Sequence, residues 1–257
     1  MNHSGISLAE ALCIKRGDVV SFVGGGGKTT SIARLARELS AIGWRVIATT
    51  STHIAEDQIG LFPAHALPGD VALLSLCLDR YGQCLVVGPP DGKGSVLRIT
   101  PETIIGLKSH PDVDCILIEA DGSKSRPFKA PAAHEPVVPE MTTILVPVAG
   151  MNCIGQPLDE KTVHRPEIVA RLAGCEPGSA ISPEIIARTL AHPDGGAKNL
   201  PAGARMVPLL NKADTADVQA IRETARKLLE FSNVDSVVAG SVDRDPAVMK
   251  FWPGGPR

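Results

Sequence analysis

The sequence has no apolar run approaching the roughly 20 residues that a membrane-spanning helix takes, and none of its cysteines form a C-x-x-C pair. The first absence argues against an integral membrane helix. The second argues against a zinc site, and the scatter of Cys13, Cys77, Cys84, Cys115, Cys153 and Cys175 offers no disulfide framework. Reduced, partly buried thiols in a cytoplasmic protein are expected. The N-terminal stretch MNHSGISLAEALCIKRGD has no basic head followed by an apolar run, so no signal peptide is expected. A net charge of −2 gives no global reason to expect nucleic acid or an anionic membrane as partner. Repeats and low-complexity tracts are also missing. What is present is an ordinary globular balance over 257 residues, enough to bury a sizeable core in one or two domains.

Apolar runs alternate with helical periodicity along the chain. DVVSFVGG, RVIATTS, DCILIEADG, TTILVPVAG, RMVPLLNKAD and DSVVAGSV read as strands. Between the first two, Ile32, Leu35, Ala36 and Leu39 lie on one helical face, and Gly43 is a stop. PETIIGLKSH, KTVHRPEIVARLAG, SPEIIARTLAH and about 217–231 also read as helices. VALLSL, GQCLVVG and SVLRIT predict a small antiparallel insertion over about 61–100, and FWPGGPR an irregular tail. The fold class expected is α/β, with a mostly parallel, doubly wound sheet.

SFVGGGGKTTS sits between the first strand and the first long helix. The phosphate-loop pattern is G-x-x-x-x-G-K-[ST]; Gly27, Lys28 and Thr29 fill its second half, and Phe22 holds the place of its first glycine. Gly24, Gly25, Gly26 and Gly27 give the backbone freedom to turn its amides around an anion, from Val23 through Thr30. Lys28 reaches outer phosphates and the Thr29 hydroxyl holds Mg²⁺. The alternative is a tight turn with no ligand. Taken with the alternating pattern, the loop predicts a P-loop nucleotide-binding domain over 1–257.

A magnesium-holding carboxylate is expected at the end of a neighbouring strand. ILIEADG supplies Glu119 and Asp121, spaced to point the same way, followed by Gly122. Late in the chain, NKAD presents Asn211, Lys212 and Asp214 in the N-K-x-D pattern that reads guanine. Guanine offers two adjacent N–H donors to a carboxylate, where adenine presents an acceptor. Asn211 is expected to hold the loop and the Lys212 stem to cover the base.

DGSKSRPFKAPAAHEP carries Lys124, Arg126, Lys129, His134 and Glu135 among stiffening prolines. It is either a switch over the terminal phosphate, a seat for an anionic second ligand, or a solvated basic loop. His53 in TTSTHI is either a general base or a strand cap. Arg165 in VHRPEIV is either an internal arginine finger or part of a helix cap. No glutamine is obviously placed to orient water, so hydrolysis is expected to be slow. Cys153 is a minor candidate ligand or nucleophile.

VGGGGKTT, ATTSTHI, EADGSKSRPFKAPAAHEPVVP, GQPLDEKTVHRPEIV and NKAD together, over about 18–214, resemble the YqeC family. The resemblance implies an accessory protein of selenium-dependent molybdenum hydroxylases with a P-loop domain, and hence a molybdenum hydroxylase or molybdopterin-type cofactor as partner. Glu119 followed by Gly122 is also similar to the E-x-x-G motif of the nickel-insertion GTPases, a likeness at the level of the fold. Their Cys/His metal cluster has no counterpart here. The expected activity is Mg²⁺-dependent binding and slow hydrolysis of GTP in preference to ATP. The alternatives are a kinase or nucleotidyl transferase acting on a small anion, or a nucleotide-gated carrier without turnover.

Overall fold

The computed structural model describes residues 6–255. Its centre is a ten-stranded sheet. In chain order the strands are β1 (Val19–Gly24), β2 (Val46–Thr50), β3 (His65–Ala66), β4 (Gln83–Val86), β5 (Cys115–Glu119), β6 (Ile144–Gly150), β7 (Arg205–Met206), β8 (Leu209–Asn211), β9 (Ser236–Gly240) and β10 (Val248–Pro253). Their spatial order is β10-β9-β8-β6-β1-β5-β2-β4-β3, with β7 paired to the start of β6. Every pairing is parallel except β9 with β10.

The helices are α1 (Leu8–Ala11), α2 (Lys28–Ala41), α3 (Val71–Tyr81), α4 (Pro101–Lys108), α5 (Pro166–Ala173), α6 (Pro183–Ala191) and α7 (Val218–Leu228). They cover both faces of the sheet. β1 shows this most simply: Val20 and Phe22 pack into the core beneath α1 and α2, while Val19 and Val23 pack on the opposite side with Ile104 of α4 and Leu74 and Leu78 of α3. A third cluster joins α5, α6 and α7 to β8 and β9. Buried on both faces, the central strands are mostly apolar, as expected of a parallel sheet.

Phe22 is fully buried, in register with Glu119 and Val146, and β1 runs two residues beyond it. A core side chain is needed there, which explains why the first glycine of the motif is replaced.

Three local expectations are corrected. VALLSL lies in α3, not a strand. The Asp70 side chain caps the helix by accepting from the Leu73 amide, Leu74, Cys77 and Leu78 face inward, and Gly82 ends it in the left-handed region. The expected small antiparallel pair is present, Ile54–Ala55 with Ser95–Val96. The tail is not irregular before Gly254, since β10 pairs along β9 from Val248 to Pro253; the last two residues of FWPGGPR lie outside the described ones. In KTVHRPEIV the helix begins only at Pro166, and Val163–His164 instead pair with Phe128–Lys129. Pro166 suits a first helical position because its missing N–H would be unpaired there anyway.

Candidate functional site

β1 lies between β5 and β6, and the loops leaving the carboxyl ends of β1, β2 and β5 enclose a cavity of about 400 Å³. Gly26, Gly27, Lys28, Thr29 and Thr30 form one wall, and Glu119 lies at its base. His53 and Gln58 come from the segment after β2, Gly122 to Arg126 from the loop after β5, and Lys212 from the end of β8.

The glycine turn owes its shape to close approach. Gly26 has φ 90°, and a Cβ there would come within 2.2 Å of the Gly150 amide nitrogen. Gly27 caps α2 with φ 116°, and a Cβ there would meet the Asn211 side chain at 2.6 Å. Neither position tolerates another residue.

Not every amide of the turn faces the cavity. Gly24 N–H donates to both oxygens of Asp121 at 3.0 and 3.1 Å, Gly25 N–H to the Val148 carbonyl and Gly26 N–H to the Arg126 carbonyl. The expectation of a continuous ring of donors from Val23 to Thr30 is therefore narrowed. The donors without a partner begin at Gly27 and continue through Lys28, Thr29 and Thr30, whose first-turn N–H groups have no carbonyl one turn earlier. They are also where the partial positive charge of α2 concentrates.

At the base, the Thr29 hydroxyl donates to Glu119 Oε2 at 2.6 Å. Lys28 Nζ donates to the Gly24 carbonyl at 2.7 Å and stands 3.5 Å from Glu119 and 3.4 Å from Asp121. The charges continue inward. Lys129 Nζ meets Asp121 at 3.0 Å and Glu135 at 2.9 Å and donates to the Gly122 carbonyl at 2.7 Å. Arg165 closes the series on Glu135 at 2.7 Å. Three cations and three carboxylates thus neutralise one another in a single chain that is buried at Lys28, Asp121 and Lys129 and half-buried at Glu135 and Arg165. Burial pushes the Glu135 carboxyl up, but the bonds and charges of Lys129 and Arg165 outweigh it and bring its pKa to about 2.

This network reassigns several residues. Asp121 does not line the cavity; its oxygens are taken by Gly24, Lys28 and Lys129, which leaves Glu119 as the carboxylate beside Thr29. Lys129 is buried inside the charge chain rather than displayed on a switch surface. Arg165 points to Glu135 and the Ala130 carbonyl and lines a neighbouring cavity, which is not the place of an arginine finger in the first. His134 is exposed and lines neither cavity. Lys124 and Arg126 line both. Cys153 is buried in the apolar cluster under α5 and α6, and burial raises its thiol pKa to about 12, the opposite of a nucleophile's need.

Asn211 and Lys212 adjoin the glycine turn. Asn211 Nδ2 donates to the Gly26 carbonyl, and Lys212 lines the cavity in the left-handed region. Asp214 sits further out. It accepts from Ser241 Oγ at 2.5 Å and from Arg244 Nε at 3.2 Å. The Ser241 bond first, with help from Arg244, holds its carboxyl below the ordinary range.

Sequence reasoning missed Gln58. It lies in the short 3₁₀ helix Glu56–Leu61, and the pairing of Ile54–Ala55 with Ser95–Val96 anchors the start of that segment. No local motif marks it. Backbone strain is a second signal that sequence does not carry. Among the described residues six non-glycines have positive φ, and four of them, Lys124, Ser125, Arg165 and Lys212, line one of the two cavities. Such strain costs on the order of 1–3 kcal/mol per residue and concentrates where geometry is over-determined.

A parallel sheet whose central strand feeds a glycine turn, with Lys28 and Thr29 opening the helix and an acidic strand next door, defines a P-loop α/β protein. The family model described as YqeC protein matches residues 20–167. The "Uncharacterized protein YqeC" of Escherichia coli (strain K12) is 31% identical over 247 residues, 92% of each chain. The chain belongs to the YqeC family. Among solved structures, the signal recognition particle receptor FtsY of Elizabethkingia anophelis overlaps 91% of this chain and 61% of its own, with 15% identity and a TM-score of 0.43. The same receptor in complex with GDP gives 90%, 50%, 15% and 0.34. The chain thus spans between half and about three fifths of those structures, and at such scores the overlap says nothing about ligand or activity. No helix among the described residues is long and apolar enough to cross a membrane.

Proposed function

We propose that this chain binds a nucleoside triphosphate with Mg²⁺, prefers guanine to adenine, hydrolyses the nucleotide slowly, and serves the maturation of a molybdenum hydroxylase. One observation carries the binding: the Thr29 hydroxyl and Glu119 carboxylate meet at 2.6 Å at the base of the cavity, under the free amides of the α2 start. An alcohol beside a carboxylate is a hard-oxygen donor pair of the kind Mg²⁺ takes together with phosphate and water. Thr29 and Glu119 would hold such an ion, which would supply positive charge to offset that of the phosphates. The chain's own residues do the rest. The amides from Gly27 to Thr30 hold phosphate oxygens, and Lys28 leaves its carboxylates to meet the outer phosphates. Lys129 remains on Asp121 and keeps that carboxylate paired as Lys28 departs. Breaking buried ion pairs opposes each turnover, which favours a slow cycle.

The guanine preference rests on Asp214. One of its two partners, Arg244, is largely exposed, so that pair is weak and guanine's N–H donors can replace it, while Ser241 remains on the other oxygen. The biological output rests on the family resemblance, not on the site.

Titration of the full chain with fluorescent GTP and ATP, with and without Mg²⁺, tests the reading. Micromolar, Mg²⁺-enhanced binding with GTP ahead is expected, followed by slow phosphate release without an acceptor. If neither nucleotide binds at micromolar concentration, the proposal fails.

A further inference from the structure

Behind the wall formed by Lys124 and Arg126 lies a second cavity of about 270 Å³, completed by Glu160, Val163, His164, Arg165, Pro166 and Glu167. We propose that it is a separate binding site for a small phosphomonoester that also carries an amino or hydroxyl group. This goes beyond the nucleotide reading and does not depend on it.

The charges argue for an anion. Lys124 and Arg126 make no side-chain hydrogen bond or ion pair among the described residues, although Arg126 is only half-exposed and stands in the wall common to both cavities. Arg165 commits one nitrogen, Nη1, to Glu135 and the Ala130 carbonyl, leaving the rest of a five-donor fork free. Three cationic side chains therefore converge on one concavity, the arrangement that suits a phosphate dianion.

The loop geometry supports a built site. Lys124 and Ser125 are consecutive residues in the left-handed region, at φ 49° and 59°, and Arg165 across the cavity has φ 66°. Lys124 of the basic loop and Arg165 at the start of α5 thus line one cavity from two strained segments. The loop is pinned from behind, because the Arg126 carbonyl accepts from Gly26 and Lys129 is locked on Gly122 and Glu135.

The same field acts on His164. Burial, and then the charges of Arg165, Lys129 and Lys124, lower its pKa to about 4, with Glu135 opposing them. It therefore stays neutral near pH 7 and offers one donor and one acceptor. The carboxylates of Glu160 and Glu167 on the rim define the remainder of the ligand. They repel a bare polyanion and accept N–H or O–H donors, so the site selects a phosphate joined to such a group.

Calorimetric titration of the full chain with O-phosphoethanolamine and, separately, inorganic phosphate tests the proposal. Phosphoethanolamine is expected to bind more tightly than phosphate. Lys124→Gln and His164→Ala, each checked for an unchanged thermal transition, are expected to weaken it about tenfold, the effect of losing one bond to a charged group. Thr29→Ala, which touches only the first cavity, is expected to leave it unchanged. The proposal is overturned if phosphoethanolamine does not bind, or binds no better than phosphate. It is also overturned if binding is lost in Thr29→Ala yet survives His164→Ala, since the anion then sits on the glycine turn. Because GTP is absent from this titration, a failure of nucleotide binding leaves its outcome readable.

Discussion

The Asn211 side-chain amide donates to the Gly26 carbonyl at 2.8 Å, and its oxygen accepts from the Val242 amide at 3.2 Å. One buried side chain thus fastens the glycine turn, the end of β8 and the loop after β9. Asn211→Ala strands a buried carbonyl and a buried amide, costing about 1–3 kcal/mol. At this size each kcal/mol lowers the melting temperature by about 2–4 °C. Calorimetry should show that fall, and nucleotide affinity should drop with it. A variant with an unchanged melting temperature would mean that the turn is held by its other bonds alone.

Thr29 and Glu119 should act as one unit toward Mg²⁺. Thr29→Ala and Glu119→Gln are each expected to reduce the Mg²⁺-dependent gain in nucleotide affinity on the order of tenfold to a hundredfold. The double variant should lose little more than either single one, because each removal disables the same site. Additive losses would place the two residues in separate roles. Asp121→Asn should behave differently. It removes one of the two oxygens that accept from the Gly24 amide and the charge that faces Lys28 and Lys129, so its loss should appear in stability before it appears in metal dependence.

Acid should weaken the fold in two stages. His164 titrates near 4 in the folded chain against an ordinary 6.5, so the unfolded chain takes up its proton first. Stability from this group is intact above about 6.5 and falls as pH drops toward 4. Glu135, at about 2 against an ordinary 4.5, adds a second loss below about 4.5. Urea midpoints at pH 7.5, 6 and 4.5 should decline in that order, and His164→Ala should flatten the upper part. A midpoint independent of pH down to 4.5 would contradict the lowered His164 pKa.

Base preference should respond to Asp214. Asp214→Asn exchanges one acceptor for a donor and is expected to weaken GTP by about tenfold while leaving ATP nearly unchanged. Arg244→Ala removes the competing partner and should tighten GTP slightly. Competition titration reads both. Equal losses for GTP and ATP in Asp214→Asn would dismiss the guanine assignment.

The β1–turn–α2 unit was legible because its elements are local: an apolar run, glycines, and a helix face with Ile32, Leu35 and Leu39 all buried. The acidic strand and NKAD were legible for the same reason. What the residues touch was not. The spacing of Glu119 and Asp121 suggests one side for both, yet only the partners Gly24, far back in the sequence, and Lys129, beyond the loop, decide that Asp121 turns inward. Arg165 looked free until Glu135 met it. VALLSL misled because a short apolar run suits a strand or a buried helix alike, and its cap and stop lie outside the run.

Gln58 offers the last test. It reaches the first cavity from the 3₁₀ segment after β2, where a side-chain amide can both donate to and accept from a water near a terminal phosphate. If it orients that water, Gln58→Ala should slow phosphate release on the order of tenfold and leave nucleotide affinity unchanged. If it merely lines the wall, release stays constant. A matched control, Glu56→Ala, alters an exposed neighbour in the same segment that does not line the cavity. A shared loss in both variants would trace the effect to the segment's packing. A loss confined to Gln58→Ala would assign it to the amide, and single-turnover measurement would then separate water attack from product release.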